Sequence, residues 1–318
     1  MNPEKNPSVS VIVPVYKTED TLERAIESLL NQTFKDFEVL FAFDGGEKAL
    51  AILEKYTKEH SNFSIRYHQS RMGLGKGRLD AIKCAKGDYI AFLDSDDYFV
   101  PSTLENLYNA ARKENADLVN ASFFTLTKEG KNPSRNPFTR QSVLTRESDI
   151  FSAFFKDSYF RSFMWTKLIR RSLISENPFL AFIEKDDIFE DKPLVGSLLL
   201  FAKKVVCIKD AVYVYNKTNV SSITNCPRTD RHSHTLEVYS ALKNYFIYQK
   251  DEVALKMFYR YAFRTNLSLS YDLSCDRKNG ASKDYLKEEK KKQKALFEEK
   301  ELDCSSFQRR LARLDDID

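Results

Sequence analysis

The sequence has few of the features that mark secreted, metal-clustered or membrane-spanning proteins. Its five cysteines are far apart, odd in number and without paired metal spacing, which favours reduced thiols in a cytosolic protein. The opening stretch MNPEKNPSVS lacks the apolar run of a secretory signal. No uncharged apolar run approaches the ~20 residues that cross a bilayer. We therefore expect a cytoplasmic protein whose sequons at Asn120, Asn216 and Asn219 carry no sugar.

Neither charge nor histidine indicates a nucleic-acid-binding or metal-binding class. The formal net charge is only +4 over 318 residues, whereas a dedicated nucleic-acid binder usually has a strongly basic face. Four histidines are present, and the pair His232 and His234 lies at i, i+2, which do not share a helix face. We therefore predict no nucleic-acid partner.

What the sequence does contain is an alternation of apolar strands and amphipathic helices. The hydrophobic fraction of 42% is enough for one large domain or two modest ones. Strands are predicted at 8–16, 37–43, 64–68, 88–93 and 117–126. Helices are predicted at 18–32, 47–60, 75–87 (closed by Gly87) and 101–116. This order indicates a parallel sheet that is covered by helices on both faces.

Three carboxylates follow one of these buried strands. The apolar run Tyr89–Leu93 leads directly into Asp94, Asp96 and Asp97. In extended backbone Asp94 and Asp96 point the same way, and a hard cation such as Mg²⁺ or Mn²⁺ prefers oxygen ligands of this kind. Ligands of parallel sheets bind beyond the carboxyl ends of the strands, which favours a metal and ligand site here. The alternative is an acid-rich turn with helix capping by Asp97 or Ser102.

Longer stretches carry a resemblance to a known family. VSVIVPVYKTEDTLERAIESLLNQTFKDFEVLFAFDGG and RMGLGKGRLDAIKCAKGDYIAFLDSDD resemble, in order and spacing, the inverting GT-A glycosyltransferases of family 2. FMWTKLIRRSLI, FEDKPLVGSLLLFAKKV and AVYVYNKTNVSSIT extend the match more loosely. The resemblance implies an α/β, Rossmann-like GT-A fold: a mostly parallel sheet covered by helices, with an α-helical C-terminal extension. It also implies a role in bacterial surface polysaccharide assembly.

The same resemblance assigns the donor, a UDP-sugar, to the strand ends. The implied nucleotide-binding residues are Pro14, Val15, Tyr16, Glu19, Asp44, Lys76, Arg78, Asp94, Ser95, Lys217 and Ser222. Asp44 would accept the uracil ring N–H, although an Asp-Gly pair is also a common turn. The family usually has two acids followed by Gly-Ser here, where this chain has Phe43, Asp44, Gly45 and Gly46.

The stretch GLGKGR, residues 73–78, combines glycines with positive charge. Glycine lets backbone approach a ligand closely, and Arg78 matches a family arginine near the donor. The spacing fits neither a Walker loop nor a dinucleotide fingerprint. The alternative is a glycine-rich helix entrance with Lys76 and Arg78 on the surface. Relatives often carry an arginine near position 216, where this chain has Asn216 followed by Lys217.

The resemblance also supplies a metal ligand and a base. Asp96 would ligate the divalent cation that bridges the UDP phosphates, and Asp94 would contact ribose or the metal through water. Asp191 would be the general base and Glu190 an acceptor-binding or positioning residue. The alternative for this pair is stabilisation of a helix start by its dipole. Competing acids lie upstream, at Asp186 and Asp187.

Trp165, the single tryptophan, is assigned either to the acceptor sugar or to the core. The predicted GT-A domain spans 1–225, with a nucleotide-binding half, 1–127, and an acceptor-binding half, 140–225. Residues 130–140 are predicted to form a loop, and 226–318 a helical C-terminal region. The charge run 283–300 is either a solvated helix or a basic surface that meets anionic lipid.

The predicted function is metal-assisted, inverting transfer of a sugar from a UDP-sugar to a hydroxyl of a glycan or lipid-linked glycan. A peripheral location on the inner face of a membrane would suit such an acceptor. Two alternatives stay open at this point. One is a non-catalytic nucleotide-sugar-binding partner subunit, and the other is a sugar nucleotidyltransferase, which would release pyrophosphate.

Overall fold

The computed structural model describes residues 6–67, 73–133, 142–156, 163–177, 191–219, 229–248, 252–260 and 262–298. The chain forms two compact units, of which the first comprises Met1–Arg146 and Ser158–Val220. The second comprises Glu147–Asp157 and Ser221–Asp318. The boundary predicted after residue 225 falls outside the described residues and stays a prediction.

The first unit is an α/β sheet with helices between its strands. Its strands are β1 (Val9–Val15), β2 (Phe37–Phe43), β3 (Phe63–Tyr67), β4 (Tyr89–Phe92), β5 (Tyr98–Phe99), β6 (Leu118–Thr127), β7 (Gly130–Pro133), β8 (Ser142–Leu144), β9 (Lys167–Arg170) and β10 (Val205–Asn216). Its helices are α1 (Glu19–Leu30), α2 (Glu47–Glu59), α3 (Leu74–Cys84), α4 (Thr103–Glu114), α6 (Arg171–Ser175) and α7 (Asp191–Phe201). A 3-10 helix, Met164–Thr166, precedes β9.

One half of the sheet is parallel and runs in the order β3-β2-β1-β4. Every residue of β1 is buried, as expected for a strand covered on both faces. Its first residue, Val9, pairs with Phe37 of β2 on one side and with Tyr89 of β4 on the other. The chain therefore steps outward to β3 and then crosses back to β4, and this reversal opens a crevice beyond the carboxyl ends of β1 and β4.

The other half is mixed. Strand β9 lies antiparallel between β4 and β6, and β10 pairs with β6 in parallel. Strands β5, β7 and β8 add antiparallel pairs. The predicted fold class, an α/β sheet covered by helices with a helical C-terminal region, is confirmed.

Helix α3 ends earlier than the sequence predicts. The helix stops at Cys84, because Ala85 is extended with φ −64° and ψ 132°. Gly87 lies instead in the turn before β4, where a Cβ would come within 2.5 Å of the Ser10 backbone nitrogen. The Gly87 N–H donates to Ser10 Oγ at 2.8 Å. Gly87 therefore serves a close approach between strands, not a helix end.

Part of the predicted loop at 130–140 is a strand. Gly130–Pro133 forms β7, which pairs antiparallel with the end of β6 from Thr127 back to Phe124. Gly130 has φ +125°, so a hairpin turn closes there. Residues 134–141 lie outside the described residues. The two-residue β5 was not predicted, since a run that short carries no periodicity.

The described part of the second unit is helical, as the sequence predicts from Arg231 onward. Its helices are α5 (Glu147–Lys156), α8 (Arg231–Tyr248), α9 (Glu252–Arg260), α10 (Ala262–Lys278) and α11 (Lys283–Phe297). Helix α8 packs against α9, α10 and α11, and α5 packs against α9. Among the described helices, none combines the length and the apolar character that a bilayer span requires.

Candidate active site

The acidic turn begins where β4 ends. The Leu93 N–H donates to Ile12 O at 3.0 Å, which keeps the strand paired with β1 to its last residue. The chain then turns, with the Asp97 N–H donating to Asp94 O at 3.0 Å. Asp94 and Asp96 thus follow the carboxyl end of β4, beside β1, whereas the Asp97 side chain is buried.

Asp97 is the structural member of this turn. Its side chain is buried and accepts hydrogen bonds from Tyr213 Oη and the Asn216 N–H, each at 2.7 Å. Burial, followed by the charges of Asp96 and Asp94, raises the pKa of Asp97 well above its usual range. These contacts make Asp97 a residue that holds the turn in place.

Side chains of α1, and of the residue that precedes it, also hold the acidic turn. Thr18 Oγ1 donates to Ser95 Oγ at 2.9 Å, and Thr21 Oγ1 donates to Ser95 O at 3.0 Å. Arg24 Nη2 donates to Asp96 O at 2.7 Å while its guanidinium lies 4.9 Å from the Tyr98 ring centroid. The three side chains are spaced three residues apart and so share a helix face. The backbone of the turn is therefore fixed by side chains from β10 and α1.

Asp96 directs its carboxylate toward Asn219, whose Nδ2 donates to Oδ2 at 3.0 Å. Burial, and then the charge of Asp94, raises the pKa of Asp96. Within the described residues no group of three or more His, Cys, Asp or Glu side chains gathers as a metal site. Mg²⁺ and Mn²⁺ sites, however, commonly use one or two protein carboxylates and complete the shell with phosphate oxygens. Asp96 fits that pattern, because a cation beside it would offset the cost of burying its charge.

Arg78 joins two acids that are far apart in sequence. It is buried on α3, and its Nη2 lies 2.6 Å from Asp94 Oδ1 while its Nη1 lies 3.4 Å from Asp191 Oδ1. The guanidinium is a rigid fork with donors on both sides, so it sets the spacing of the two carboxylates. The acidic turn after β4 and the start of α7 therefore meet at one arginine.

Asp191 is the first residue of α7. Its Oδ2 accepts a hydrogen bond from the Met164 N–H at 3.3 Å, so both carboxylate oxygens are oriented. Burial raises the pKa of Asp191, and Asp94 adds to that rise, whereas Arg78, the Met164 N–H and Lys167 oppose it. A carboxylate in such surroundings is a stronger proton acceptor than an exposed one.

The end of β2 and the start of α3 meet beside β1. The Asp44 N–H donates to Val15 O at 2.9 Å, and Asp44 Oδ2 accepts from the Gly73 N–H at 2.9 Å. A Cβ at Gly45 would lie 3.5 Å from the Tyr16 ring. Tyr16 and Asp44 are thus neighbours at the crevice, where the sequence places the nucleotide base.

Gly46 replaces the serine that the family usually has. Its φ is +113°, and a Cβ there would come within 2.7 Å of Glu19 Oε1. Glycine suits both constraints, since it alone adopts this φ without strain and leaves room for the Glu19 carboxylate. Glycine at position 46 is therefore compatible with the Glu19 carboxylate beside it.

Trp165 lies in an aromatic stack and is only 6% exposed. Its ring stacks on Phe163 at 4.6 Å and on Tyr213 at 4.3 Å between centroids. Phe123 meets its edge at 4.9 Å. This burial favours the core role for Trp165 over direct contact with an acceptor sugar.

The other predicted residues divide by position. Pro14, Val15 and Ser95 are buried at the strand ends, whereas Lys76 and Lys217 are exposed. The predicted acceptor residue Glu190 and the predicted nucleotide residue Ser222 lie outside the described residues, as do the competing acids Asp186 and Asp187. Their assignments stay predictions.

Several contact residues of the site were not predicted. These are Thr18, Thr21, Arg24, Met164, Tyr213 and Asn219. The spacing of Thr18, Thr21 and Arg24 was a readable signal, because three polar residues on one helix face next to a buried stripe indicate a contact. Tyr213 and Asn219 contact residues more than a hundred positions away in the sequence, and no local pattern predicts such contacts.

An acidic strand end, a buried arginine and a helix-start carboxylate meet at the switch point of the sheet, where α/β enzymes bind their ligands. Comparison with known proteins agrees. The sequence model of glycosyl transferase family 2 matches residues 10–176, which is over half of the 318-residue chain. The chain therefore belongs to glycosyl transferase family 2, as the sequence predicts, and is a glycosyltransferase by class.

Individual relatives agree with this family. The cholesterol galactosyltransferase of Borreliella burgdorferi is 29% identical over 84% of this chain and 77% of that protein. The glycosyltransferase EpsJ of Bacillus subtilis is 31% identical over 70% of this chain and 64% of its own length. Crystalline S. aureus TarS 1–349 in complex with UDP-GlcNAc superposes with a TM-score of 0.61 at 19% identity, covering 86% of this chain and 89% of that one. This last likeness shows the fold alone.

Proposed function

We propose that this protein transfers a sugar from a UDP-sugar to a hydroxyl of a glycan or lipid-linked glycan, with inversion at the anomeric carbon. The observation that carries the proposal is the Asp94–Arg78–Asp191 arrangement, with Arg78 at 2.6 and 3.4 Å from the two carboxylates. It sets a candidate base beside the acids that would face the donor diphosphate. Both groups are needed within one sugar's length of each other for a single displacement.

The base step follows from the surroundings of Asp191. As the acceptor oxygen attacks the anomeric carbon, its proton passes to Asp191, and the bond from that carbon to the UDP oxygen breaks. Arg78 and the Met164 N–H hold the carboxylate in one orientation during this step. Attack from the face opposite the leaving UDP inverts the centre.

Donor binding is assigned to the strand ends. Tyr16 and Asp44 would contact the uracil ring, since Asp44 can accept the ring N–H that cytosine lacks. Glu19 lies against Gly46 on the same side. Asp94 and Ser95 would face the ribose and the phosphates. The UDP-GlcNAc complex of TarS, which has the same fold, supports a UDP-sugar as the donor class.

The metal assignment concerns Asp96. When bound, Mg²⁺ or Mn²⁺ would neutralise charge that develops on the departing diphosphate. The turn that carries Asp96 is held at its backbone by Arg24 and Asn216, so the carboxylate is presented at a fixed position. Asn219 holds Oδ2 of the same group.

The place of work is proposed to be the cytoplasmic face of a membrane. Between residues 277 and 294 the chain has eight basic and three acidic residues. The net positive charge of this segment is therefore larger than that of the whole chain, which is +4. On α11 the buried face includes Glu289, Gln293 and Leu296, whereas Lys287, Lys290 and Lys291 are exposed. Contact with anionic lipid would therefore be electrostatic, without insertion of an apolar face.

A product assay tests the proposal. The full chain would be incubated with a panel of UDP-sugars, Mn²⁺ or Mg²⁺ and lipid-linked or free glycan acceptors, and the products identified by mass and by NMR of the new anomeric centre. We expect free UDP and a glycoside of inverted configuration. Pyrophosphate would instead identify a nucleotidyltransferase. Tight UDP binding with no turnover on any acceptor would identify a non-catalytic binding subunit.

A further inference from the structure

Lys167 is a buried lysine that the reaction above does not use. It is the first residue of β9 and only 1% exposed. Lysine is almost never fully buried unless it is paired, because an ammonium group loses its hydration there. Its burial thus implies that its charge or its hydrogen bonds have a specific task.

The hydrogen bonds of Lys167 close the 3-10 turn that precedes it. Its Nζ donates to Phe163 O at 2.7 Å and to Thr166 Oγ1 at 3.3 Å. Thr166 Oγ1 in turn donates to Phe163 O at 3.3 Å. The ammonium therefore ties together both ends of the Met164–Thr166 turn.

That turn contacts the candidate base. The Met164 N–H, at the start of the turn, donates to Asp191 Oδ2 at 3.3 Å, and Arg78 faces the other oxygen. An uninterrupted path runs from the lysine through two hydrogen bonds and one turn to the carboxylate. A shift of the turn would move the Met164 N–H away from Asp191.

Charge acts along the same line. Among the described residues, the ionisable groups with the largest effects on Asp191 are Arg78 of α3, Asp94 after β4 and Lys167 of β9. Lys167 also faces the Cys207 thiol of β10, but burial raises the pKa of Cys207 to about 12, so that neighbour is neutral. Among the charged neighbours of Asp191, the buried ammonium of Lys167 therefore acts in the direction that favours the carboxylate form.

We propose that Lys167 is a positioning residue for the general base, holding the Met164 turn against Asp191 and favouring the charged form of that carboxylate. The inference rests on the proposed function, since it presumes that Asp191 accepts the proton. Lys167 touches neither donor nor acceptor in this account. Its effect reaches the reaction only through Asp191.

The test compares Lys167→Met and Lys167→Arg in the full chain, measuring the pH profile of kcat/KM per UDP-binding molecule. Loss of the buried cation favours the neutral acid, so the acid limb of Lys167→Met should move to higher pH by about half a unit or more. Lys167→Arg keeps the charge and should keep the limb near that of wild type. Lys203→Met, the same change at an exposed lysine, is the matched control and should match wild type throughout.

Thr166→Val provides a second readout that retains the lysine charge. It removes the hydroxyl partner from the turn, so we expect kcat to fall about threefold, with unchanged UDP affinity and an unmoved acid limb. If Lys167→Met fails to bind UDP, this variant decides. A wild-type kcat for Thr166→Val, or a wild-type limb and kcat for a UDP-binding Lys167→Met, would overturn the inference.

Asp191→Asn separates this inference from the proposed function. If Asp191→Asn turns over as wild type does, the base assignment itself is wrong. If Asp191→Asn is inactive and the Lys167 and Thr166 variants behave as wild type, the reaction stands and only the role of Lys167 fails.

Discussion

Two regions of this molecule bury charged side chains, and they neutralise them differently. In the helical unit, His232 is fully buried with Nδ1 3.0 Å from Glu289 Oε2 and Nε2 2.9 Å from Gln293 Oε1. Glu289 also meets Lys292 Nζ at 2.7 Å. Asp276 accepts from the His232 N–H at 2.9 Å and from Tyr285 Oη at 3.2 Å. Each charge there has a local partner.

At the carboxyl ends of β1 and β4, the acidic side chains have fewer partners. Arg78 serves both Asp94 and Asp191, while Asp96 forms no ion pair among the described residues and accepts a side-chain hydrogen bond from Asn219. Burial raises the pKa values of Asp96 and Asp191. A buried cluster in which every charged group has a partner stabilises the fold. A buried cluster whose acids lack nearby positive charge is instead suited to bind a cation and a ligand.

The largest effect is expected at the candidate base. Asp191→Asn removes the proton acceptor but keeps its shape, so kcat should fall about a thousandfold while UDP affinity stays within about twofold. Rate assays at saturating donor and calorimetry with UDP would measure the two. Asp210→Asn, an exposed acid on β10, is the control. A variant that retains most of its activity would remove Asp191 from the mechanism.

The helical cluster should show a stability effect without a catalytic one. Glu289→Ala leaves His232 Nδ1 without its carboxylate, and we expect a loss of about 3 kcal/mol in the free energy of unfolding. Chemical denaturation would report the loss, and kcat per folded molecule should be unchanged. Glu288→Ala, its exposed neighbour, should cost under about 0.5 kcal/mol. Equal costs for the two variants would contradict the cluster's structural role.

Within the acidic turn, substitutions at the neighbouring residues Asp96 and Asp97 should have different effects on stability. Asp97→Asn replaces an acceptor of two buried donors, Tyr213 Oη and the Asn216 N–H, and should cost about 2 kcal/mol of stability. Asp96→Asn removes a charge whose burial is unfavourable, so its free energy of unfolding should equal or exceed that of wild type. Thermal and urea unfolding without metal would compare them. If Asp96→Asn were the less stable variant, the structural role given to Asp97 would be wrong.

The smallest effect is expected at the exposed lysines of α11. Replacing Lys290 and Lys291 by Gln should weaken binding to vesicles containing anionic lipid about thirtyfold, since each lysine near such a surface contributes about 1 kcal/mol. Cosedimentation at low and moderate salt would measure it. Lys55→Gln with Lys58→Gln, on exposed positions of α2, is the matched control. Binding that is absent in wild type, or equal in all variants, would leave the helix as a solvated surface.

The sequence predicts most of the first half of the fold because most local patterns there agree with the final structure. Strands β1 to β4 are short apolar runs between amphipathic helices, and the acids at their ends are visible by eye. Asp191 likewise stands at the start of an apolar helix, but its assignment as a base came from the family resemblance and not from that local pattern. Local signals of this kind survive folding because burial and helix termini act on neighbouring residues.

The features that could not be predicted from the sequence depend on packing between residues far apart in the chain. The insertion of β9 between β4 and β6 rests on four residues without helical or strand periodicity. The two-acid contact of Arg78 spans 113 residues to Asp191, and the Gly87 approach to Ser10 spans 77. Such contacts are selected by the shape of the assembled sheet, which no window of sequence contains.

The central claim is that a cation and a diphosphate share the space beside Asp96, and one calorimetric experiment tests it most directly. UDP would be titrated into wild type and Asp96→Asn, each with and without Mn²⁺, under conditions where both remain folded. We predict that Mn²⁺ tightens UDP binding to wild type at least about tenfold, a difference of 1.4 kcal/mol, and has no such effect on Asp96→Asn. UDP affinity that ignores Mn²⁺ in wild type, or that responds equally in Asp96→Asn, would contradict the claim.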